Sequence, residues 1–453
     1  MHGEPDRQAA RLVGLAALRG IDALRKENAA EWRQIWRGRV RLVGASAQWQ
    51  GAADAAFYYL QASAHRSSLF STSMFGLAYW PNHTYYYGHV MWDIETFALP
   101  VLLLTAPETA RSMLEYRFER LPAARRNARM NGYAGLQFPW ESSPELGEES
   151  VPPSGPLSGL EQHVNFSVAL AFAQFAEATG DDDFARERAW PVLEGVAQWT
   201  ASRVTKSQRG YEIRATTGIA EDRTKPVDND AYVNMAAATA LRAAARFAHR
   251  LNKPSTRWDE LAAHMAIPQN DAVLLNHDDF PGEEPKAAAA TPEALAGIFP
   301  IGYELETELE QRTLRYYLDR VDPYVGYPML SAPLGVYAAR LGDRALSTKL
   351  FEQGYAAFVT PPYRETNEFS NERYPEKPRV GPLLANVGGF LTSLMYGLPR
   401  IRINGPDPTG WLGGPIVMPD AWESIEIDQI YVGGRACALR ARHGAPTAEL
   451  VRH

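Results

Sequence analysis

Apolar residues recur at helical spacing through most of the first 400 residues. In each segment they fall at positions i, i+3, i+4 and i+7, which places them on one face of an α-helix. The pattern predicts an N-terminal helix and about eleven more, over residues around 50–64, 92–105, 107–127, 160–178, 183–203, 228–251, 255–265, 305–320, 330–342, 344–357 and 383–396. A chain of such helices can bury its apolar faces only by packing helix on helix.

Three stretches of the sequence look like copies of one unit. Each has an apolar helix, a short turn with Pro or Gly and an acid, and a second helix, which together are typical of an αα-hairpin. They read LPVLLLTAPETARSMLEYR, LAFAQFAEATGDDDFARERAWPVLEGV and LGVYAARLGDRALSTKLFEQGY. Long loops between the pairs favour a closed ring with a mouth over an open solenoid; they span 66–91, 128–159, 214–227, 266–303 and 359–382. We predict a mainly α fold, an (α/α)6 barrel over residues 49–400.

The two flanking segments differ from this pattern. Residues 401–453 contain RIRING, GWLGGPIVMP and SIEIDQIYVGGRACALRA, in which β-branched residues surround a Gly433–Gly434 turn. Such a pattern is typical of a β-hairpin and predicts a small β-rich C-terminal appendage. Residues 1–48, with the run AEWRQIWRGRV, predict one amphipathic linker helix.

Composition and charge exclude several classes of protein. A chain of 453 residues with 45% hydrophobic content can bury a large core. The net charge of −7, with arginines scattered among acids, argues against nucleic-acid partners. No apolar run approaches the roughly 20 residues of a membrane-spanning helix, and the N-terminus lacks the features of a secretion signal, so we expect a cytoplasmic protein. The sequence does not indicate the oligomeric state.

The side-chain inventory favours a carbohydrate partner over a cofactor. A lone Cys437 excludes a disulfide framework and a cysteine-rich metal site. No His, Cys or Asp cluster has metal-ligand spacing, and no phosphate-binding Gly motif follows a predicted strand, so we expect neither a metal nor a nucleotide cofactor. The chain carries 11 Trp, 21 Tyr and 17 Phe. Several of them lie in polar loops such as QFPWESSPE, where rings can stack on sugars.

Six motifs in order carry a resemblance to a known family. They read GHVMWDIETFALP, LPAARRNARMNGYAGLQFPWES with GEE, EQHVNFSVALAFAQFAEATGD, VDNDAYVN, IPQNDAVLLN and NVGGFLTSLMYG. From about residue 30 to residue 400 the chain resembles glycoside hydrolase family 65, which holds inverting α-glucoside phosphorylases and α-glucosidases. Typical members also carry a large N-terminal β-sandwich. This sequence begins directly with the helical region, which we interpret as a trimmed chain or a short form.

The resemblance implies a pocket for a terminal glucose. In the family, the Trp-Asp pair that corresponds to Trp92 and Asp93 lines this pocket, the acid binding sugar hydroxyls and the indole forming a wall. The family's sugar loop and its Lys-Gln-Ala-Asp motif add further expected substrate-binding residues. These are Tyr133, Trp140, Glu141 and Gln269. Pro268 stands where relatives have the lysine of that motif, which predicts altered specificity.

Each of three polar residues near these motifs allows two interpretations. His89 is either a core histidine or a sugar ligand. Glu95 is either a site residue or an acid favoured by the positive end of a helix dipole. His163 begins a predicted helix with apolar neighbours, and is either a buried structural residue or a neighbour of the sugar pocket.

The resemblance also implies a general acid. In relatives it ends a Gly-Pro-Asp-Glu run before the segment that corresponds to VDNDAYVN. Here the loop reads TTGIAEDRTKPVDNDAYVN and is one residue longer than usual. Placing Gly218 on the family's glycine puts Glu221 on the acid.

The last long loop decides whether water or phosphate attacks. Hydrolytic relatives place a Glu there as the base for water, whereas phosphorylases have no carboxylate. This loop, TPPYRETNEFSNERYPEKP, favours Glu368 as the base, with Glu365 and Glu372 as alternatives. The stretch PMLSAPLGVYAARLGD lacks the Ser-rich sequence and the His of the phosphorylase phosphate site.

Three hypotheses therefore remain. The favoured one is an inverting hydrolase that releases glucose from an α-linked glucoside of disaccharide or glucosyl-galactosyl type. An inverting α-glucoside phosphorylase is the second, and a non-catalytic carbohydrate-binding barrel is the third. An inverting mechanism predicts that the acid and base carboxyls stand about 6.5–9.5 Å apart.

Overall fold

Helices make up most of the structure, and the predicted mainly α fold is confirmed. The computed structural model describes residues 5–76, 78, 86–151, 158–221, 223–282 and 292–452. The helices are α1 (Pro5–Arg19), α2 (Ile21–Ile35), α3 (Ala47–Ser63), α4 (Leu99–Thr105), α5 (Pro107–Glu119), α6 (Leu121–Met130), α7 (Val164–Thr179), α8 (Asp182–Phe184), α9 (Trp190–Arg203), α10 (Ala231–Arg250), α11 (Thr256–Ala263), α12 (Glu293–Ile298), α13 (Thr307–Leu318), α14 (Leu334–Arg340), α15 (Arg344–Gly354) and α16 (Leu384–Thr392). Within the described ranges, no helix is long and apolar enough to cross a membrane.

Two predicted helices are divided in the structure. The segment predicted over 107–127 becomes α5 and α6, and Pro122 lies in the first turn of α6, where its missing N–H is tolerated. The N-terminal linker, predicted as one helix, breaks at Gly20, which has a φ of +79° that favours glycine. It forms α1 and α2 and ends in a short strand.

That strand joins the N-terminal segment to the C-terminal sheet. The strands are β1 (Arg41–Val43), β2 (Val90–Met91), β3 (Glu141–Ser142), β4 (Thr205–Ser207), β5 (Gly210–Glu212), β6 (Val359–Thr360), β7 (Glu365–Thr366), β8 (Ser424–Val432), β9 (Arg435–Arg442) and β10 (Glu449–Arg452). The largest sheet has the order β1-β8-β9-β10. Antiparallel pairing sets Leu42 opposite Ile425, and the Arg41 guanidinium lies 2.7 Å from the Glu426 carboxylate. The sequence did not predict β1, because its partner lies almost a full chain length away.

The main helices pack neighbour on neighbour. α7 packs on α4 and α10, and α10 packs on α12. α16 packs on both α3 and the π-helical turn Ile94–Ala98 that precedes α4. At this crossing a Cβ on Gly388 would lie 2.6 Å from the Phe97 carbonyl carbon, so the close approach of the two backbones requires glycine.

The first residues of four of these helices position the site. Trp92 and Asp93 directly precede the turn Ile94–Ala98. His163 is the N-cap of α7, Asp230 is the N-cap of α10, and Glu293 begins α12. Polar side chains therefore collect where these helices begin.

Candidate active site

Trp92 and Glu221 form one wall of the site. The Trp92 indole N–H donates to the Glu221 carboxylate over 3.4 Å. The indole is fully buried, with its ring centroid 4.7 Å from that of His163 and 6.0 Å from that of Tyr232. The sequence-predicted acid and the sequence-predicted pocket wall are thus in contact.

Asp93 is a buried carboxylate with unused hydrogen-bonding capacity. It is 1% exposed, and its Oδ1 has no hydrogen-bond partner in the part of the chain that the structure describes. Burial, together with the charges of Glu95, Glu368 and Glu141, raises the pKa of Asp93 to about 7. A buried acceptor without a partner is costly, so a ligand hydroxyl that donates to Asp93 would be stabilising.

A two-stranded ribbon brings part of the sugar loop to Asp93. β2 and β3 pair so that Met91 lies opposite Glu141. Glu141 then lies 2.8 Å from Nδ1 of His89, and its charge acts on Asp93. Trp140 precedes Glu141, and its buried indole N–H has no partner among the described residues. The end of the loop therefore reaches the site.

Tyr133, at the start of the same loop, lies elsewhere. Its ring packs on Trp199 with centroids 5.6 Å apart, and the Arg203 guanidinium lies 5.7 Å from the ring centroid. Both partners belong to α9. The structure does not bring Tyr133 into contact with Trp92, Asp93 or Glu221, and its role in binding stays a prediction.

Gln269 also lies apart from this group. It is exposed and bridges to Leu274 across a tight turn, in which the Asn270 side chain accepts from backbone N–H groups. With Arg209 and Tyr303 it lines a separate cavity of about 410 Å³. The turn directs the side chain outward, and its predicted contact with the sugar is not tested by this geometry.

The loop that carries Glu221 is anchored on a buried ion cluster. Arg223 makes two hydrogen bonds to the Glu293 carboxylate, at 2.6 and 2.5 Å, and one to Asp230 at 3.0 Å. It also donates to the Thr217 carbonyl over 2.9 Å. Gly218 has a φ of +68°, and a Cβ there would collide with the Asp230 and Glu293 carboxylates. The acid loop and the starts of α10 and α12 are therefore fixed together.

Of the three glutamates proposed as the base, Glu368 alone is buried. It is 5% exposed, and its carboxylate accepts a hydrogen bond from the Tyr86 hydroxyl over 2.7 Å. The Asn386 amide donates to the Glu368 carbonyl over 3.2 Å and so ties this position to α16. Glu365 is half-buried in β7, and Glu372 is exposed.

Tyr86 links the proposed base to the proposed acid. Burial raises the pKa of Tyr86 well above its ordinary value, and the charges of Glu368, Glu221 and Asp93 raise it further. The phenol is therefore neutral and donates a hydrogen bond to the Glu368 carboxylate. Its backbone has a φ of +66°, a conformation that non-glycine residues adopt mostly where the surroundings impose it.

Sequence reasoning missed Tyr86, Glu161, Arg223 and Glu293. Tyr86 stands in a run of tyrosines with nothing to single it out. Glu161 and His163 form a buried pair, with 3.0 Å between the Glu161 carboxylate and Nε2 of His163. Burial raises the pKa of Glu161 well above its ordinary value, and the charge of Glu221 adds to this. Its place at the start of the helix predicted over 160–178 is the one available signal.

Replacing His163 with Gln is expected to change how stability depends on pH. Burial lowers the pKa of His163 to about 3, against about 6.5 in the unfolded chain. Between these values the unfolded chain binds a proton that the folded chain does not, so this group removes up to ~1.4 kcal/mol of stability per pH unit as pH falls. Urea unfolding at pH 7, 6 and 5 measures the free energy of unfolding of both proteins. The advantage of the wild-type chain over the variant should shrink as pH falls. A difference in the free energy of unfolding that stays the same at all three pH values would contradict this prediction.

The described residues contain no group of three or more His, Cys, Asp or Glu side chains arranged to hold a metal ion. The Arg223 guanidinium lies against the Glu293 and Asp230 carboxylates. The carboxyl groups of the site can transfer protons and accept hydrogen bonds from hydroxyls.

Comparisons with known proteins identify the family of the chain. Residues 82–291 match the Glycosyl hydrolase family 65 central catalytic domain. The chain is 30% identical over 440 residues to kojibiose hydrolase from Flavobacterium johnsoniae, covering 96% of this chain and 62% of the relative. It is 30% identical over 424 residues to protein-glucosylgalactosylhydroxylysine glucosidase from Dictyostelium discoideum, covering 91% of this chain and 56% of the relative.

A solved structure supports the fold. The structure of a candidate kojibiose phosphorylase from the human microbiome superposes with a TM-score of 0.74 at 13% identity, covering 100% of this chain and 69% of that one. This chain spans less than two thirds of the length of both curated relatives. The matched catalytic domain, together with the two relatives aligned over nearly the whole chain, establishes that the chain belongs to glycosyl hydrolase family 65.

Proposed function

We propose that this chain is an inverting glycoside hydrolase that releases glucose from an α-linked glucoside of disaccharide or glucosyl-galactosyl type. The observation that carries the proposal is the position of Tyr86, which donates to Glu368 and lies in the field of Glu221 and Asp93. Two carboxyl groups flanking one point are the arrangement that glycoside hydrolysis needs. The names of the two curated relatives, a kojibiose hydrolase and a glucosidase, support the same reaction class.

In this mechanism Glu221 is the general acid and Glu368 is the general base. Glu221 gives its proton to the glycosidic oxygen as the bond to the glucose carbon breaks. Glu368 takes a proton from a water that attacks the same carbon from the opposite face. Asp93 accepts hydrogen bonds from sugar hydroxyls, and Trp92 forms the wall of the pocket; Trp140 and Glu141 complete it.

We also propose that the helices of residues 49–400 close into an (α/α)6 barrel, between a linker at 1–48 and a β-rich appendage at 401–453. The contact of α16 with both α3 and the turn before α4 supports closure, because it joins the last helix of the region to the first ones. The pocket would then open where the helices begin. A cytoplasmic location stays a prediction.

The burial and hydrogen bonding of the Ser331 hydroxyl favour hydrolysis over phosphorolysis. This serine is the one hydroxyl in the stretch PMLSAPLG, where phosphorylases bind phosphate. It is fully buried, accepts from the Gly326 N–H over 3.0 Å and donates to the Tyr327 carbonyl over 2.9 Å. A hydroxyl engaged in this way stabilises its own loop and has little capacity left for phosphate.

The first sugar released is expected to be β-glucose. Attack by water opposite to an α-linked leaving group inverts the configuration at the reacting carbon. Proton NMR of a fresh digest of kojibiose, and of an α-glucosyl-galactoside, should record the β anomer before mutarotation. Adding inorganic phosphate should leave the glucose yield unchanged and give no glucose 1-phosphate. α-Glucose as the first product, or a phosphate requirement, would overturn the proposal, and sugar binding without turnover would favour a non-catalytic barrel.

A further inference from the structure

A second cavity lies among the helices that carry the site and extends toward the last turns of α10 and α14. It has a volume of about 600 Å³ and is lined by residues of α7, α10, α14 and the segment after α16. Five arginines line it: Arg242, Arg246, Arg340, Arg400 and Arg402. We call this the far cavity.

Helix geometry separates the far cavity from the candidate active site. Asp230 caps the start of α10, whereas Arg242 lies twelve residues further along it, about 18 Å at 1.5 Å per residue. Arg340 is the last residue of α14, and Arg400 follows the last turn that extends α16. Along α10, the Asp230 carboxylate and Arg242 are thus separated by about three helical turns.

The far cavity has an excess of positive charge. Three of its arginines have carboxylate partners: Arg246 lies 3.0 Å from Glu177 and Arg340 lies 3.2 Å from Glu310, and Arg402 pairs with Glu304. Glu95, which also lines the cavity, is already paired with Arg117 at 2.7 Å. Arg242 and Arg400 make no ion pair with the described residues. This leaves two positive charges in a half-buried cavity of a chain with a net charge of −7.

These arginines are not needed to cap the helices that end here. Cations often bind the free carbonyls of a helix C-terminus. In α14, however, the Tyr337 and Ala338 carbonyls accept from the Leu341 and Asp343 N–H groups. After α16, the Tyr396 carbonyl accepts from the Ile401 N–H over 2.9 Å. The chain's own amides therefore satisfy these carbonyls, and the arginine side chains are available to another acceptor.

Arg340 and Arg400 are the pair best placed for such an acceptor. The Nε–H of Arg340 is buried and has no partner in the described part of the chain. Both side chains line the far cavity, and the charge of Arg400 acts on Arg340. The Arg400 Nε–H donates to the Gly413 carbonyl over 3.0 Å, which holds the guanidinium group in place. Its terminal N–H groups are left for other partners. An oxyanion accepting from both would relieve the repulsion and satisfy Arg340.

We propose that the far cavity is a binding site for a phosphate group, held between Arg340 and Arg400, with Tyr303 and Trp411 lining the space beside it. A phosphate offers several acceptor oxygens and up to two negative charges, which match the two surplus positive charges of the cavity. The group could come from free inorganic phosphate or from a phosphorylated sugar, since the cavity has room for either. This site is independent of the proposed glycoside hydrolysis.

Titration calorimetry at low ionic strength tests the site, with inorganic phosphate in one arm and glucose 6-phosphate in the other. Saturable binding of either by the wild-type chain is expected, and the arm that binds more tightly identifies the source of the phosphate. Arg340→Gln and Arg400→Gln should each raise the Kd by about tenfold or more, because each removes charge-assisted hydrogen bonds. Arg129→Gln, which changes an exposed arginine of α6 outside the cavity, should leave it unchanged.

Active-site variants distinguish phosphate binding in the far cavity from phosphate binding in the candidate active site. Asp93→Asn and Glu368→Gln should keep full phosphate binding if the far cavity holds the anion. Loss of binding in these variants, with binding kept in Arg340→Gln and Arg400→Gln, would overturn the proposal. Absence of saturable binding of both ligands to the wild-type chain would overturn it as well. If Arg340→Gln fails to fold, Arg400→Gln decides the question.

Discussion

Glu368→Gln is expected to lower kcat for α-glucosides by about 10²–10⁴-fold, the usual contribution of a general base. The amide keeps the size of the side chain and can still contact Tyr86, so the pocket should stay intact. It cannot take a proton from water. α-Glucosyl fluoride should be affected as strongly as a disaccharide, because water attack needs the base whatever group departs. Steady-state kinetics on both substrates measure the effect.

Two matched variants test whether the effect is specific to the loss of the base at Glu368. Glu221→Gln should impair disaccharides far more than the fluoride, because only a poor leaving group needs protonation. Glu372→Gln changes an exposed glutamate of the same loop and should leave both rates unchanged. An active Glu368→Gln enzyme would remove Glu368 from the mechanism, and Glu365→Gln would then be the variant to examine.

Arg223→Met is expected to lower the free energy of unfolding by about 3–5 kcal/mol, the usual effect of removing one partner from a buried ion pair. The change leaves the Glu293 and Asp230 carboxylates buried next to each other without their cation. Burial already raises the pKa of Glu293 well above its ordinary value, and Arg223 opposes this shift. Urea unfolding at pH 7 measures the loss, and turnover should fall too because the Glu221 loop loses its anchor.

Arg209→Met is the matched control for this variant. Arg209 also contacts two carboxylates, Asp278 and Glu212, but its side chain is 55% exposed. Glu212 keeps a second cation, Arg214 at 2.6 Å, and the exposed Arg209 contributes little, so this variant should lose much less stability. Equal losses in the two variants would mean that the buried cluster adds nothing beyond ordinary surface pairing.

The helices could be predicted from the sequence, because a helix that buries one face has apolar residues at regular spacing, and a short stretch of sequence is enough to show that spacing. The segment predicted over 228–251 is α10 at Ala231–Arg250, and the one over 305–320 is α13 at Thr307–Leu318. The contact of Trp92 with Glu221 could be anticipated from linked motifs only, since these residues are 129 positions apart. Periodicity carries no information on such distant pairs.

The direction of individual loop side chains could not be predicted. Trp140 and Tyr133 belong to one motif, yet the β2–β3 ribbon carries the first to the site while α9 holds the second away from it. Gln269 is exposed in a turn that the Asn270 side chain closes. The Arg223–Glu293 pair joins a loop to a helix 70 residues later, and no local pattern distinguishes these two residues from other charged positions.

The pairing of β1 with β8 has a consequence for synthesis of the chain. Arg41 and Glu426 are 385 residues apart, so at ~5–20 residues per second the ribosome takes about 20–80 s to deliver the second strand after the first. During that time β1 presents an open strand edge, and α3 lacks the apolar cover that α16 later provides. Such exposed edges and apolar faces recruit chaperones or other nascent chains. The pairing of β1 is therefore completed only after residues 424–432 have emerged from the ribosome.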